Sequence, residues 1–141
     1  MYKTQELAHE LAQKFHFLSD IWESEVDFWR EEFEEGSEFP CLYILGFYGR
    51  KIMKDWGAIT TTEKISFFNI IEENIATTDS KLLVALMTGF FESIEDEIYK
   101  KPSLLQELSP YLGDKSKRAF SIVNDLTKIS VQDSMHFINN E

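Results

Sequence analysis

Leu7, Leu11, Phe15, Leu18, Trp22, Val26, Trp29 and Phe33 recur at intervals of three and four residues, the spacing that places side chains on one face of a helix. That face is expected to be core. The helix reads as continuous up to a stop at Gly36, or as restarting at Asp20, which with Glu23 three residues on forms a capping-box pattern after Ser19. A second helix follows Pro40, whose fixed φ suits a first helical turn, and gathers Leu42, Leu45, Gly49, Ile52, Met53 and Trp56 on one side. Gly46 and Gly49 each lower helix propensity by about 1 kcal/mol relative to alanine. They are read as packing glycines, where a neighbouring backbone comes close.

Thr60 and Glu63 stand in capping-box register ahead of Ile65, Phe68, Ile71 and Ile75, some of which that third helix should bury. Asp79 or Ser80 caps a fourth helix that is apolar nearly all round from Leu82 to Phe91, turns amphipathic, and ends before Pro102. A helix of that kind belongs in the middle of a fold. Pro102, Pro110 and Gly113 bracket a short helical piece with Leu104, Leu105 and Leu108, and Asp114 opens a helix using Ala119, Ile122, Val123, Leu126 and Ile129. The ending "VQDSMHFINNE" fits a helical turn or a short extended tail. Alternating strand patterns are scarce, and there is no fixed-period repeat. The expected fold is all-α: one domain over residues 1–141, a bundle or irregular solenoid-like stack of about five to seven helices around the central helix at about 79–100.

Composition supports one folded unit. A chain of 141 residues with 43% hydrophobic and 14% aromatic residues is long and apolar enough to bury roughly two thirds of its unfolded surface in a single core. Charge adds a preference among partners. With 14 basic against 25 acidic residues, the net charge of -11 repels nucleic acid and anionic lipid and favours a basic protein. Cys41 is the single cysteine, which excludes an internal disulfide and fits a reducing compartment. The start carries no signal-peptide pattern and the chain no membrane-spanning apolar run, so the expected location is the cytoplasm.

Most of the excess charge is local. Between Asp20 and Glu38 stand nine carboxylates (Asp20, Glu23, Glu25, Asp27, Glu31, Glu32, Glu34, Glu35 and Glu38) against Arg30 alone. A solvated helix face explains some of this, since Glu is a good helix former. Arg50, Lys51 and Lys54 on the next helix are available to neutralise it, but less Asp55 they leave most of the charge uncompensated, and like charges one turn apart cost a few tenths of a kcal/mol per pair. Projected at 100° per residue, Phe28 falls about 120° from the Trp22, Val26, Trp29, Phe33 face, among carboxylates. An aromatic inside a charged rim has the composition of a binding hot spot. Phe17 and Ile21 continue the Phe28 line, so burial of a second helix side stands as the alternative. The candidate partner-binding residues are Glu23, Asp27, Phe28, Glu31, Glu32, Glu34, Glu35 and Glu38, with Glu92, Glu95 and Asp96 as a possible second acidic patch or the wet side of the central helix.

Reaction chemistry finds little support. Glu6 with His9, and Asp133 with His136, have the carboxylate and histidine spacing of a helical di-iron site, which also needs inward Glu on two further helices. "HELAQKFH" spaces its histidines too widely for the zinc-protease pattern, "GFYGRK" lacks the ending of a phosphate-binding loop, and nothing near Cys41 suggests an activated thiol. Carboxylates are abundant, but nothing sets a pair's pKa values apart for acid and base roles. The reading is non-enzymatic, with no metal or cofactor; a helical metal enzyme is the remote alternative.

The segment "SKLLVALMTGFFESIEDE", preceded by "EFPCLYILGFYGRKI", resembles small helical immunity proteins of bacterial toxin systems, including contact-dependent growth inhibition. The likeness lies in a Thr-Gly-Phe-Phe-Glu stretch, Thr88 to Glu92, on an apolar helix, with a Pro-led helix upstream, Pro40 to Ile52. It covers about half the chain and its motifs describe packing more than contacts. The resemblance implies a cytoplasmic protein that binds a cognate toxin domain, often a nuclease, and blocks its active site or substrate groove. Contact residues in such families vary with the toxin, so none transfers to this chain. A carboxylate-rich surface fits a nuclease's cationic groove. The competing expectation is a helical adaptor that recruits a basic protein through the same face.

Overall fold

Phe15 divides the first apolar run into two helices. In the computed structural model, which describes residues 2–30, 41–124 and 130–140, α1 spans Lys3–Lys14 and α2 spans His16–Trp29, with Phe15 between them at φ −119° and ψ 103°. The restart therefore precedes Asp20, which lies with Glu23 inside α2 rather than at its cap. No side-chain cap holds the junction. Burial does: Phe15 is in the core and meets the Phe67 ring edge-on at 5.4 Å, so the chain turns where that ring is accommodated. The stop expected at Gly36 and the start at Pro40 lie outside the described residues.

The next helix, α3, spans Cys41–Lys54 and runs into a 3-10 turn at Trp56–Ala58. Then α4, Thr61–Ile75, begins with the expected reciprocal cap: the Glu63 amide donates to Thr60 Oγ1 and the Thr60 amide to Glu63 Oε1, both at 3.1 Å. Asp79 caps α5, Ser80–Val84, by accepting from the Leu82 amide at 3.0 Å. The rod continues as a π-helical segment, Ala85–Phe91, into α6, Glu92–Lys100. The short α7, Leu104–Leu108, and α8, Asp114–Asn124, match the expected pieces. The ending is a helix, α9 at Val131–Asn139, whose Ser130 cap accepts from the Asp133 amide at 3.0 Å. No strand occurs among the described residues, and no helix there is long and apolar enough to cross a membrane. The fold is all-α. Counting α5 to α6 as one rod, there are eight helices among the described residues, one above the expected range because the first run splits.

The rod at 80–100 is the centre. Its Leu82, Leu83, Ala85, Leu86, Phe90, Phe91 and Ile94 are buried, and α3 packs along it more extensively than any other pair of elements. Glycine sets that approach. A Cβ on Gly89 would stand 2.5 Å from the Leu42 carbonyl oxygen, and one on Gly49 would stand 2.7 Å from that of Phe90. The packing role assigned to Gly46 and Gly49 is thus met, with Gly89 facing them.

Single polar contacts tie other helices in. Tyr48 donates from its hydroxyl to the Ala8 carbonyl at 2.9 Å, joining α3 to α1, and burial holds its pKa above the ordinary phenol value, with Cys41 adding to the shift. Glu72 of α4 accepts from the Lys115 and Ser116 amides at 3.0 and 2.8 Å, a carboxylate placed where α8 leaves its first amides unpaired. Some expected core positions sit at the margin: Ile65 and Leu105 are exposed, whereas Phe67 and Ile70 are buried. Trp22, Val26 and Trp29 are half-buried; the apolar face of α1 and α2 is deepest from Leu7 to Leu18 and shallower toward Trp29. Phe33, Leu126 and Ile129 lie outside the described residues.

Candidate functional site

Two apolar stripes run along α2. One carries Trp22 and Trp29; Trp22 stacks on His9 with centroids 4.9 Å apart, and Trp29 donates from its indole to Glu25 Oε2 at 3.1 Å. The second carries Phe17, Ile21 and Phe28, and its two ends differ. Phe17 and Ile21 are partly buried against the core, while Phe28 is 66% exposed and meets Trp29 edge-on at 4.9 Å. The stripe is thus packed against the core at Phe17 and Ile21 and open to solvent at Phe28.

The described carboxylates of α2 are largely uncompensated. Asp27 pairs with Arg30 one turn on at 3.2 Å, both side chains 70% exposed, which makes the pair weak. Asp20 and Glu23 have no ion pair among the described residues. The cations of α3 are directed elsewhere. Lys51 pairs with Asp55, the residue just past the end of α3, at 2.5 Å, and Arg50 and Lys54 reach Glu97 of α6 at 4.0 and 3.9 Å, with Lys100 at 3.5 Å from the same oxygen. Glu97 is buried, and a buried charge draws in opposite charges because leaving it unpaired is costly. Glu31, Glu32, Glu34, Glu35 and Glu38 lie outside the described residues.

Between α2 and α3 runs a groove of about 400 Å³, lined by Asp20, Ile21, Ser24 and Glu25 on one side and by Phe47, Arg50, Lys51 and Lys54 on the other. Its apolar lining comes from Ile21 and Phe47. The α2 wall is the stripe that ends in Phe28. On α3 the spacing from Phe47 through Arg50 to Lys54 extends back one turn to Tyr43, which is 57% exposed. The signal for the groove was present in these two spacings, but each belongs to a separate helix and only their packing makes a concave surface.

The second acidic patch lies on α6. Glu92 and Asp96 are exposed and Glu95 is half-buried. Partial burial and then the charge of Asp96 raise the carboxyl pKa of Glu92; the same two causes, followed by Glu92 itself, raise that of Glu95. The patch is mutually repulsive. Other candidate chemistry is dispersed: His9 lies against Trp22, His136 Nδ1 is 2.7 Å from the Asn140 amide nitrogen, and Cys41 is a buried thiol. No group of three or more potential metal ligands occurs among the described residues. In the Thr88 to Glu92 stretch, Gly89, Phe90 and Phe91 are buried and Thr88 and Glu92 are exposed, so three of its five side positions serve the crossing with α3 and the core.

No family model, curated protein or solved structure matches the chain.

Proposed function

We propose that this chain is a non-enzymatic binding protein that takes a basic protein domain as its partner, and that it acts as an immunity protein neutralising a bacterial toxin of nuclease type. The observation that carries the reading is the charge of α2: Asp20 and Glu23 are left without cations while those of α3 turn to Glu97 and Asp55, beside the exposed ring of Phe28. Stability alone does not favour such an arrangement, because like charges on one helix repel. Association with a cationic surface does, through steering and through an apolar anchor within a charged rim. The likeness of residues 40–52 and 80–97 to immunity proteins supplies the more specific half of the proposal.

The test is association with the product of the neighbouring reading frame, measured by stopped flow at low and at physiological salt. A tight complex is expected, with an on-rate that falls as the screening length shortens to about 8 Å. The variant Glu23→Lys/Asp27→Lys should bind roughly tenfold more slowly at low salt and keep its thermal midpoint. No complex, or an on-rate indifferent to salt and to both reversals, overturns the reading. Capture of many unrelated basic proteins instead of one cognate domain would replace the immunity role with that of an adaptor.

A further inference from the structure

We propose that the cations gathered on Glu97 form the mouth of a second site, one that takes a small phosphate monoester. It does not depend on the acidic face of α2. Arg50 Nε, Lys54 Nζ and Lys100 Nζ lie 4.0, 3.9 and 3.5 Å from one oxygen of Glu97. Only Lys100 is within hydrogen-bond distance of it, so most of the donors on these three groups are not spent on that carboxylate. Burial separates the charges into layers. The Glu97 side chain is 7% exposed and those of Arg50, Lys54 and Lys100 are 44%, 57% and 64% exposed, so the acid lies beneath and the cations meet solvent above it. Lys54, Glu97 and Lys100 also line a pocket of about 300 Å³, together with Lys101, which has no ion pair among the described residues.

Charge sets the sign of the ligand. Three cations to one carboxylate leave two positive charges over, while Lys101 and Glu107, both on the pocket lining, cancel. The C-terminal ends of α3 and α6, at Lys54 and Lys100, oppose this with about half a negative charge each. The local balance stays positive, in a chain whose net charge is -11. A phosphate monoester carries about −1.5 to −2 charges near neutral pH and three acceptor oxygens, one for each of Arg50, Lys54 and Lys100, where a carboxylate offers a single charge and two oxygens. The remaining lining fixes the kind of ester. Met53, Trp56 and Leu104 supply the apolar side of the pocket, whose volume at the lower end of the range for ligand sites suits a body about the size of one aromatic ring.

The test is an amide shift titration of the full chain at low salt and pH 7.5 with phenyl phosphate, inorganic phosphate, phenol and tetraglutamate. Phenyl phosphate is expected to give saturable shifts at Lys54, Trp56, Lys100 and Lys101 and to bind more tightly than the other three. Lys54→Gln/Lys100→Gln should weaken it about tenfold, because two charge-assisted contacts are lost, and Lys14→Gln/Lys117→Gln, which removes the same charge elsewhere, should leave the affinity within about twofold. Should the first variant not fold, Lys101→Glu replaces it, reversing a charge on the lining at an exposed position without an ion pair, and it too should weaken binding. Shifts that do not saturate or that avoid the pocket, or equal losses in the pocket and control variants, overturn the site. Phenol binding as tightly as phenyl phosphate overturns the role of the cations, and inorganic phosphate doing so overturns the ester in favour of the free anion. Tighter binding of tetraglutamate overturns the small ligand in favour of an acidic protein segment.

Discussion

With 66% of its surface open, Phe28 carries little of the fold's stability, since the stabilisation from an aromatic scales with the area it removes from water. Phe28→Ala should leave the thermal midpoint within about 1 °C of the parent and weaken partner binding; a fall of several degrees in a calorimetric melt would return this residue to the core. Glu92 and Glu95 make a different prediction. Their carboxyl pKa values are raised in the folded chain, so the fold binds their protons more tightly than the unfolded chain does. The stability they contribute is complete below the ordinary carboxylate value of 4.5 and is lost as pH rises through the raised values. Once ionised, each is repelled by the carboxylates beside it on α6. Glu92→Gln or Glu95→Gln should therefore raise the midpoint at neutral pH by about 1 °C, a gain that disappears as melts are repeated down toward pH 4. A gain that persists at low pH would assign the effect to something other than charge.

Helices cross where side chains permit, and the closest crossing here is that of α3 over the π segment. Gly89→Ala would drive a methyl against the Leu42 carbonyl, backbone that cannot rotate away, so a loss of about 1–3 kcal/mol is expected from overpacking. Gly57→Ala is the control. A Cβ there meets nothing within 4 Å, and the substitution should be neutral or stabilise by up to about 1 kcal/mol by reducing the freedom of the unfolded chain. Comparable losses in both, measured by urea unfolding, would show that the crossing is not what requires glycine. The element scale is also where periodicity was least sufficient. The π turn at Ala85–Phe91 closes on i→i+5 bonds, and the break at Phe15 depends on the position of Phe67, 52 residues away along the chain; a pattern drawn on 3.6 residues per turn registers neither.

Across the whole molecule, a net charge of -11 is distributed so that part of it is answered internally and part is not. Arg50, Lys54 and Lys100 surround the buried Glu97, whereas Asp20 and Glu23 of α2 have no ion pair among the described residues. The cations that join α3 to α6 thus make no ion pair with α2 among the described residues. Under the proposed function, the unpaired acids of α2 steer the encounter with a cationic partner. Salt should accordingly act on the rate of association more than on the rate of dissociation.

The amino-acid order determined the helical class, the single central apolar rod, the cap at Thr60 with Glu63, and the packing role of Gly46 and Gly49, and it narrowed the next cap to Asp79 or Ser80. Each follows from spacing along one helix or from bonds within a single turn, where neighbours in sequence are neighbours in space. Tertiary structure decided the turn at Phe15, the carboxylate of Glu72 at the start of α8, the allotment of Arg50 and Lys54 to Glu97, and the hollow between Ile21 and Phe47. Those depend on which helix lies beside which, and on the cost of burying a charge unpaired, neither of which is encoded in any one segment.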